Sequence, residues 1–291
     1  MTRTDFELIC APVTPFSPDG SLDETSTARA FAFLRGAGIR KVLTPGTTGE
    51  FTTLSDAERA RIVELALDVF GPEGVIAHIG AADARHAMSL AHDALLAGAE
   101  QFSAITPFFF PAGQTALIDY YQALRGCVDD RRLLAYAFPQ RTGVSFPPET
   151  LSRLAKDHLV DGVKLSGIAT ADLPPYLHAA PHGFRVYSGN DIDTFELAEM
   201  GAHGVVSGVS SVFPEPFVAA LNAVNGSGHT DSLPDQLRAA VIASAHGELR
   251  VLKLAGEARS VMSSHVRAAL NPVTQNQQNT LDDYLASSVI H

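Results

Sequence analysis

Eight short apolar runs, recurring about every 25–30 residues with helical patterns between them, constrain this 291-residue chain more than any other feature. They fall at 8–13, 41–44, 75–79, 102–106, 133–137, 162–165, 185–188 and 204–207. Each is rich in Val, Ile, Leu or Phe and lacks polar alternation. That is the pattern of a parallel strand covered on both faces. Helix signals lie between the runs. Ser55 precedes Asp56-Ala57-Glu58, an N-cap with its capping-box partner, and Gly71-Pro72 closes that helix after Phe70. The segment 83–98 places Leu90, Ala91, Ala94 and Leu95 at helical spacing, and Pro147-Pro148-Glu149-Thr150 opens another helix. Eight strand–helix units in succession predict an α/β fold, a (β/α)8 TIM barrel. A doubly wound sheet is the alternative. It wants a glycine-rich fingerprint after its first strand, where this chain has Thr14-Pro15-Phe16.

The pattern changes after residue 225. Asn225-Gly226-Ser227-Gly228 reads as a flexible connection. Helices are then expected over 234–248 and 249–269, a polar loop over 275–279, and a last short helix over 281–290. The expected organisation is a barrel over 1–225 with a C-terminal helical extension over 226–291.

A net charge of −11 without a basic cluster argues against nucleic acid and anionic membranes as partners. No apolar stretch reaches the roughly 18 residues that a membrane span needs. The first five residues lack a signal-peptide apolar core, and Cys10 and Cys127 read as free thiols of a reducing compartment. A cytoplasmic protein is expected. The histidines form neither H-x-H nor H-E-x-x-H, and no G-x-S-x-G elbow occurs. Neither a metal nor another cofactor is expected.

Barrel enzymes do their chemistry at the C-terminal strand ends. The second strand ends in Thr44-Pro45-Gly46-Thr47-Thr48-Gly49-Glu50. Its glycines admit a close ligand, and its amides and hydroxyls can cradle a carboxylate or phosphate. The fifth strand ends with Tyr136, a possible proton relay, followed by Arg141, which can fork onto a carboxylate. The same two residues could be a core tyrosine and a surface arginine. Only four lysines occur. Lys41, Lys156 and Lys253 read as surface or helix residues, whereas Lys164 sits between Val163 and Leu165 in an apolar strand. Burial favours the free amine, which attacks carbonyls. The bland alternative is a lysine that snorkels to water. Strands seven and eight end in Ser188-Gly189-Asn190-Asp191 and Ser207-Gly208, loops suited to phosphate or a small acid. Together these residues suit a 2-oxo acid, its carboxylate in the cradle and its ketone on the amine.

The combination resembles the dihydrodipicolinate synthase / N-acetylneuraminate lyase family of class I aldolases. The resemblance rests on Gly46-Thr47-Thr48-Gly49-Glu50 with Thr53-Leu54-Ser55, Tyr136 with Pro139 and Arg141-Thr142-Gly143, Gly162-Val163-Lys164, and Ser188-Gly189 with Asp191. It covers residues 6–220. The resemblance implies that Lys164 is the Schiff-base lysine and that Tyr136 and Thr47 relay protons. Thr47 and Thr48 would hold the pyruvate carboxylate. Gly49, Gly189 and Val206 would line the site, and Arg141 would bind the carboxylate of the aldehyde substrate. It further implies a homotetramer that joins pyruvate to an aldehyde, or releases it. The synthase branch is the closest match of motifs. A 2-keto-3-deoxy sugar acid aldolase or dehydratase, or a non-catalytic 2-oxo acid sensor, are the alternatives. The chain departs from the synthase pattern at Phe108-Phe109-Phe110, where that branch has a relay tyrosine. A relay that is shortened, or completed by water or substrate, is therefore expected.

Overall fold

A computed structural model describes residues 5–226 and 231–287. Eight parallel strands close into a barrel in sequence order, with β8 paired back onto β1. The strands are β1 (Glu7–Cys10), β2 (Lys41–Thr44), β3 (Val75–His78), β4 (Gln101–Ile105), β5 (Arg132–Ala137), β6 (Gly162–Leu165), β7 (Arg185–Ser188) and β8 (Gly204–Ser207). All eight expected strands are present, with ends that differ by a few residues.

The intervening helices are α1 (Glu24–Gly36), α2 (Asp56–Phe70), α3 (Ala84–Leu96), α4 (Gln114–Val128), the short α5 (Pro139–Thr142), α6 (Pro148–Lys156), α7 (Pro174–Ala179), α8 (Thr194–Glu199) and α9 (Pro214–Val224). The expected caps form. Ser55 Oγ accepts from Glu58 N at 3.3 Å while Glu58 Oε2 accepts from Ser55 N at 2.9 Å. Asp83 caps α3 through His86 N.

Side chains alternate across each strand. Val163 and Leu165 of β6, and Leu133, Ala135 and Ala137 of β5, join the large core beneath the helices. Leu134 and Tyr187, with Ile9, Leu43, Ile76 and Val206, fill the barrel interior. Because successive side chains point to opposite faces, Lys164 and Tyr136 point inward. Register then sets them side by side: Tyr136 is the direct partner of Lys164 across β5 and β6.

The C-terminal extension is helical, but its boundaries differ from expectation. It comprises α10 (Leu233–Ala243), α11 (Leu249–Ala258) and α12 (Gln275–Ala286). The helix expected to run to 248 ends early, because Ala245, His246 and Gly247 all take positive φ. The next helix stops at Ala258 instead of 269. The segment 275–279 is the first turn of α12 and not a loop, since Thr274 and Gln277 form a capping box. Of the expected flexible connection, Ser227 and Gly228 lie outside the described residues, as do residues 288–290 of the expected last helix. Arg259 ties the extension to the barrel, with its guanidinium on Glu215 and on the Val212 carbonyl. Both cysteines are free. No helix among the described residues is long and apolar enough to cross a membrane.

Candidate active site

A cleft of about 410 Å3 opens at the C-terminal ends of the strands, and it gathers most of the residues singled out by sequence. Thr47 and Thr48 line it from the loop after β2, Tyr136 and Arg141 from β5 and the turn beyond it. Lys164, Gly189 and Val206 line it from β6, β7 and β8. Lys164 is only 6% exposed. Its Nζ lies 4.1 Å from the centre of the Tyr136 ring, and it makes no hydrogen bond or ion pair among the described residues. Tyr136 Oη stands 3.1 Å from Thr47 Oγ1. An amine, a phenol and a hydroxyl thus sit in succession, with one end at the floor of the cleft. Gly189 is closely packed: a Cβ there would lie 2.7 Å from Ser166 Oγ, which would have to turn aside.

Gly49 is the predicted site residue that does not line the cleft. It lies behind the threonine cradle, where its carbonyl accepts from Thr14 Oγ1 at 2.8 Å. A side chain at this position would press on Thr14, Pro12 and Gly46 at 3.1–3.3 Å. Its part in the cradle is to let the backbone pack. Arg141 is exposed, stacks 5.8 Å from the Phe138 ring, and has no ion-pair partner among the described residues.

Two neighbours were not read as site residues from sequence. Asp191, noted only as part of the matching motif, lines the cleft. Burial pushes its carboxyl up to about 6, although Ser207 Oγ donates to it at 2.6 Å, Val209 N at 3.3 Å, and the Lys164 charge opposes the shift. His78 is fully buried at the end of β3, with its ring 6.1 Å from that of Tyr136. Burial, then the charges of Arg59 and Lys164, hold its pKa well below the ordinary histidine range, so the ring is neutral.

Lys253 is the clearest departure from expectation. Read as an ordinary helix or surface lysine, it is 0% exposed and lies 2.6 Å from Glu50, whose side chain is 1% exposed. Burial lowers its pKa to about 8 against the pull of Glu50. The second Glu50 oxygen accepts from Arg267 N at 2.9 Å and Ala268 N at 2.7 Å. Glu50 itself has φ 55, and its amide donates to Thr47 O at 3.1 Å. One carboxylate therefore joins the threonine cradle to the extension. Sequence gave no signal of this pairing, since the partners are 203 residues apart. No group of three or more His, Cys, Asp or Glu side chains suited to a metal occurs among the described residues.

Residues 6–288 match the dihydrodipicolinate synthetase family. The chain belongs to that family. It is 33% identical over 216 residues to a 4-hydroxy-tetrahydrodipicolinate synthase of Syntrophus aciditrophicus, covering 74% of each chain. It is also 33% identical to the synthase of Methanothrix thermoacetophila, over 73% of this chain and 72% of the other. Among solved structures it superposes on dihydrodipicolinate synthase of Acinetobacter baumannii, determined with pyruvate, with TM-score 0.87, 26% identity and 98% of each chain covered. The Thermotoga maritima synthase gives TM-score 0.84 and 27% identity, over 97% of this chain and 98% of that one. As a member of the dihydrodipicolinate synthetase family, the chain is a pyruvate-dependent, Schiff-base-forming lyase of the class I aldolase kind.

Within that family pattern the phenylalanine loop stands out. Phe108 packs on Phe51, ring centres 5.9 Å apart. Phe109 and Phe110 are 85% and 71% exposed and meet each other edge-on. Phe109 holds φ 78, a left-handed backbone uncommon for a bulky residue. None of the three offers a hydroxyl to the Thr47–Tyr136 pair.

Proposed function

We propose that this chain condenses pyruvate with an aldehyde in the manner of a 4-hydroxy-tetrahydrodipicolinate synthase, with Lys164 as the Schiff-base residue. The supporting observation is the Lys164 amine against Tyr136, whose Oη reaches Thr47 at 3.1 Å within one cleft. Attack of Nζ on C2 of pyruvate expels water and leaves an iminium, which acts as an electron sink. A methyl proton then leaves to the Tyr136–Thr47 pair, giving an enamine. The enamine carbon attacks the aldehyde carbon, the aldehyde oxygen takes up a proton, and water releases the product from Lys164.

Thr47 and Thr48 hold the pyruvate carboxylate in this reading. Val206 offers backbone to the same molecule, and Gly189 leaves room for it. Arg141, without an ion-pair partner among the described residues, takes the carboxylate of the aldehyde. Water or substrate supplies the third hydroxyl that Phe108–Phe110 lack. The chain acts in the cytoplasm as a homotetramer; the exposed Phe109 and Phe110 support a subunit contact at that loop.

Borohydride trapping tests the assignment. Mixed with pyruvate and sodium borohydride and then digested, the protein is expected to carry a reduced pyruvyl adduct on Lys164, absent in Lys164→Ala. No adduct, under conditions that trap a known pyruvate aldolase, overturns it.

A further inference from the structure

The wall of the cleft away from the pyruvate groups comes from the extension. His246 and Glu248, in the turn between α10 and α11, line it with Ala268 and Leu270. The backbone of that turn is unusual. Ala245 and His246 have φ 49 and 58, followed by Gly247 at 79. Left-handed conformations cost free energy for residues with a Cβ, and two in succession persist only when the surroundings hold them.

Here the surroundings do. Ser244 is fully buried, and its carbonyl accepts from Gly247 N at 3.1 Å and Glu248 N at 3.0 Å. Its hydroxyl also accepts from Gly247 N at 3.2 Å. Glu248 caps α11 by accepting from Val251 N. Gly247 rests over the end of β8, where a Cβ would meet Val209 at 3.6 Å. The strain thus delivers one side chain to the cleft with no internal duty. The His246 imidazole is exposed and makes no hydrogen bond or ion pair among the described residues. Arg141, equally unpaired, lies beyond β5, three strands round the mouth from β8. Lys164 on β6 sits between those two strands in barrel order.

We propose that His246 reads a hydroxyl or amino substituent on the chain of the aldehyde substrate, while Arg141 takes its carboxylate. This rests on the reading of the site given above. A cleft of about 410 Å3 leaves room beyond a three-carbon oxo acid. Imidazole both donates and accepts, so it meets either substituent. An exposed ring returns to water when unpaired, so its discrimination is modest, about 3- to 10-fold.

Binding to the pyruvate-loaded, full-length protein tests this without requiring turnover. The probes are homoserine, 2,4-dihydroxybutyrate and 4-hydroxybutyrate, unreactive alcohols that carry an amino group, a hydroxyl or neither. The wild type is expected to bind one or both of the substituted acids about 3- to 10-fold more tightly than 4-hydroxybutyrate. Which one it prefers identifies the substituent. His246→Ala should bring the ratio close to one, and His246→Gln, which keeps a donor and an acceptor, should restore part of it. Pyruvate trapping on Lys164 should be unchanged in both variants. An equal affinity for all three probes in the wild type, or a ratio that survives His246→Ala, overturns the inference alone. Failure of the wild type to be trapped by pyruvate overturns the proposed function and this inference with it.

Discussion

Replacing Lys253 by Met should destabilise the protein and loosen the pyruvate cradle together. The substitution keeps most of the length of the side chain and removes its charge. Glu50 would keep two backbone donors, Arg267 N and Ala268 N, and lose its counter-ion at 2.6 Å in a site from which water is excluded. The carbonyl of His265, which accepts from Nζ at 2.6 Å, would lose its donor as well. Breaking a buried pair by removing one partner costs about 3–5 kcal/mol. Unfolding entropy of about 2.1 cal/mol/K per residue amounts to about 0.6 kcal/mol/K for a chain of 291 residues. The melting temperature should therefore fall by about 5–8 °C. Adding Glu50→Gln removes the stranded charge, so the double variant should recover at least about 1 kcal/mol relative to the sum of the two singles. The backbone of Glu50 carries the bond to Thr47 O, so KM for pyruvate should rise in Lys253→Met. Scanning calorimetry of the four proteins, with steady-state kinetics, measures all of this. A fall under about 1 °C, or strict additivity in the double variant, would refute the reasoning.

The remaining predictions concern single groups. Tyr136→Phe deletes the hydroxyl that meets Thr47; turnover should drop about 10²–10⁴-fold while borohydride trapping of pyruvate on Lys164 persists. Asp191 is raised to about 6 by burial, so it is anionic above that pH and neutral below it. Turnover that uses this charge beside the iminium should decline as pH falls through about 6, and Asp191→Asn should abolish that limb of the profile. Glu58 is held down to about 2, first by its hydrogen bond from Arg267 and then by Ser55 against some burial. A depressed carboxyl contributes stability above its unfolded value that is lost as pH falls toward 2. Arg267→Ala should return Glu58 toward the ordinary range and move the acid-unfolding midpoint to higher pH, as followed by circular dichroism.

The barrel was legible in the sequence because its signals are local. Strands buried on both faces need continuous apolar runs, and α2 and α3 announce themselves through Ser55 and Asp83. The meeting of Lys164, Tyr136, Thr47 and Arg141 around one cleft was legible because each lies at or just beyond the C-terminal end of a strand, where barrel topology makes position predictive. Long-range pairing was not. Nothing near Lys253 hints at Glu50, and a lysine in an amphipathic helix looks the same whether it meets water or a carboxylate. His78 lies in an apolar strand like any satisfied core histidine. The break after α10 has no local sequence signal, because Ala245 and His246 are no helix breakers; it is closed by bonds from Ala245 N to Ile242 O, His246 N to Val241 O and Gly247 N to Ser244 O. The amide content of Gln275–Asn279 suits a loop, and the capping box begun by Thr274 outweighs it.

The facing of Tyr136 and Lys164 across β5 and β6 has a consequence for how this scaffold can diversify. Two side chains on adjacent strands of a closed cylinder keep their common height as long as the cylinder stays closed, since no strand can slide alone. A one-residue slip would also send the amine to the helix side, so intermediates between registers are silent as catalysts and poorly packed. The amine and its neighbouring phenol are in that sense inherited with the architecture. The turn bearing His246 has no such guarantee. It hangs on a few hydrogen bonds in a segment that no strand constrains, so insertions and substitutions there can reshape one wall of the cleft while the strand ends beneath are left untouched.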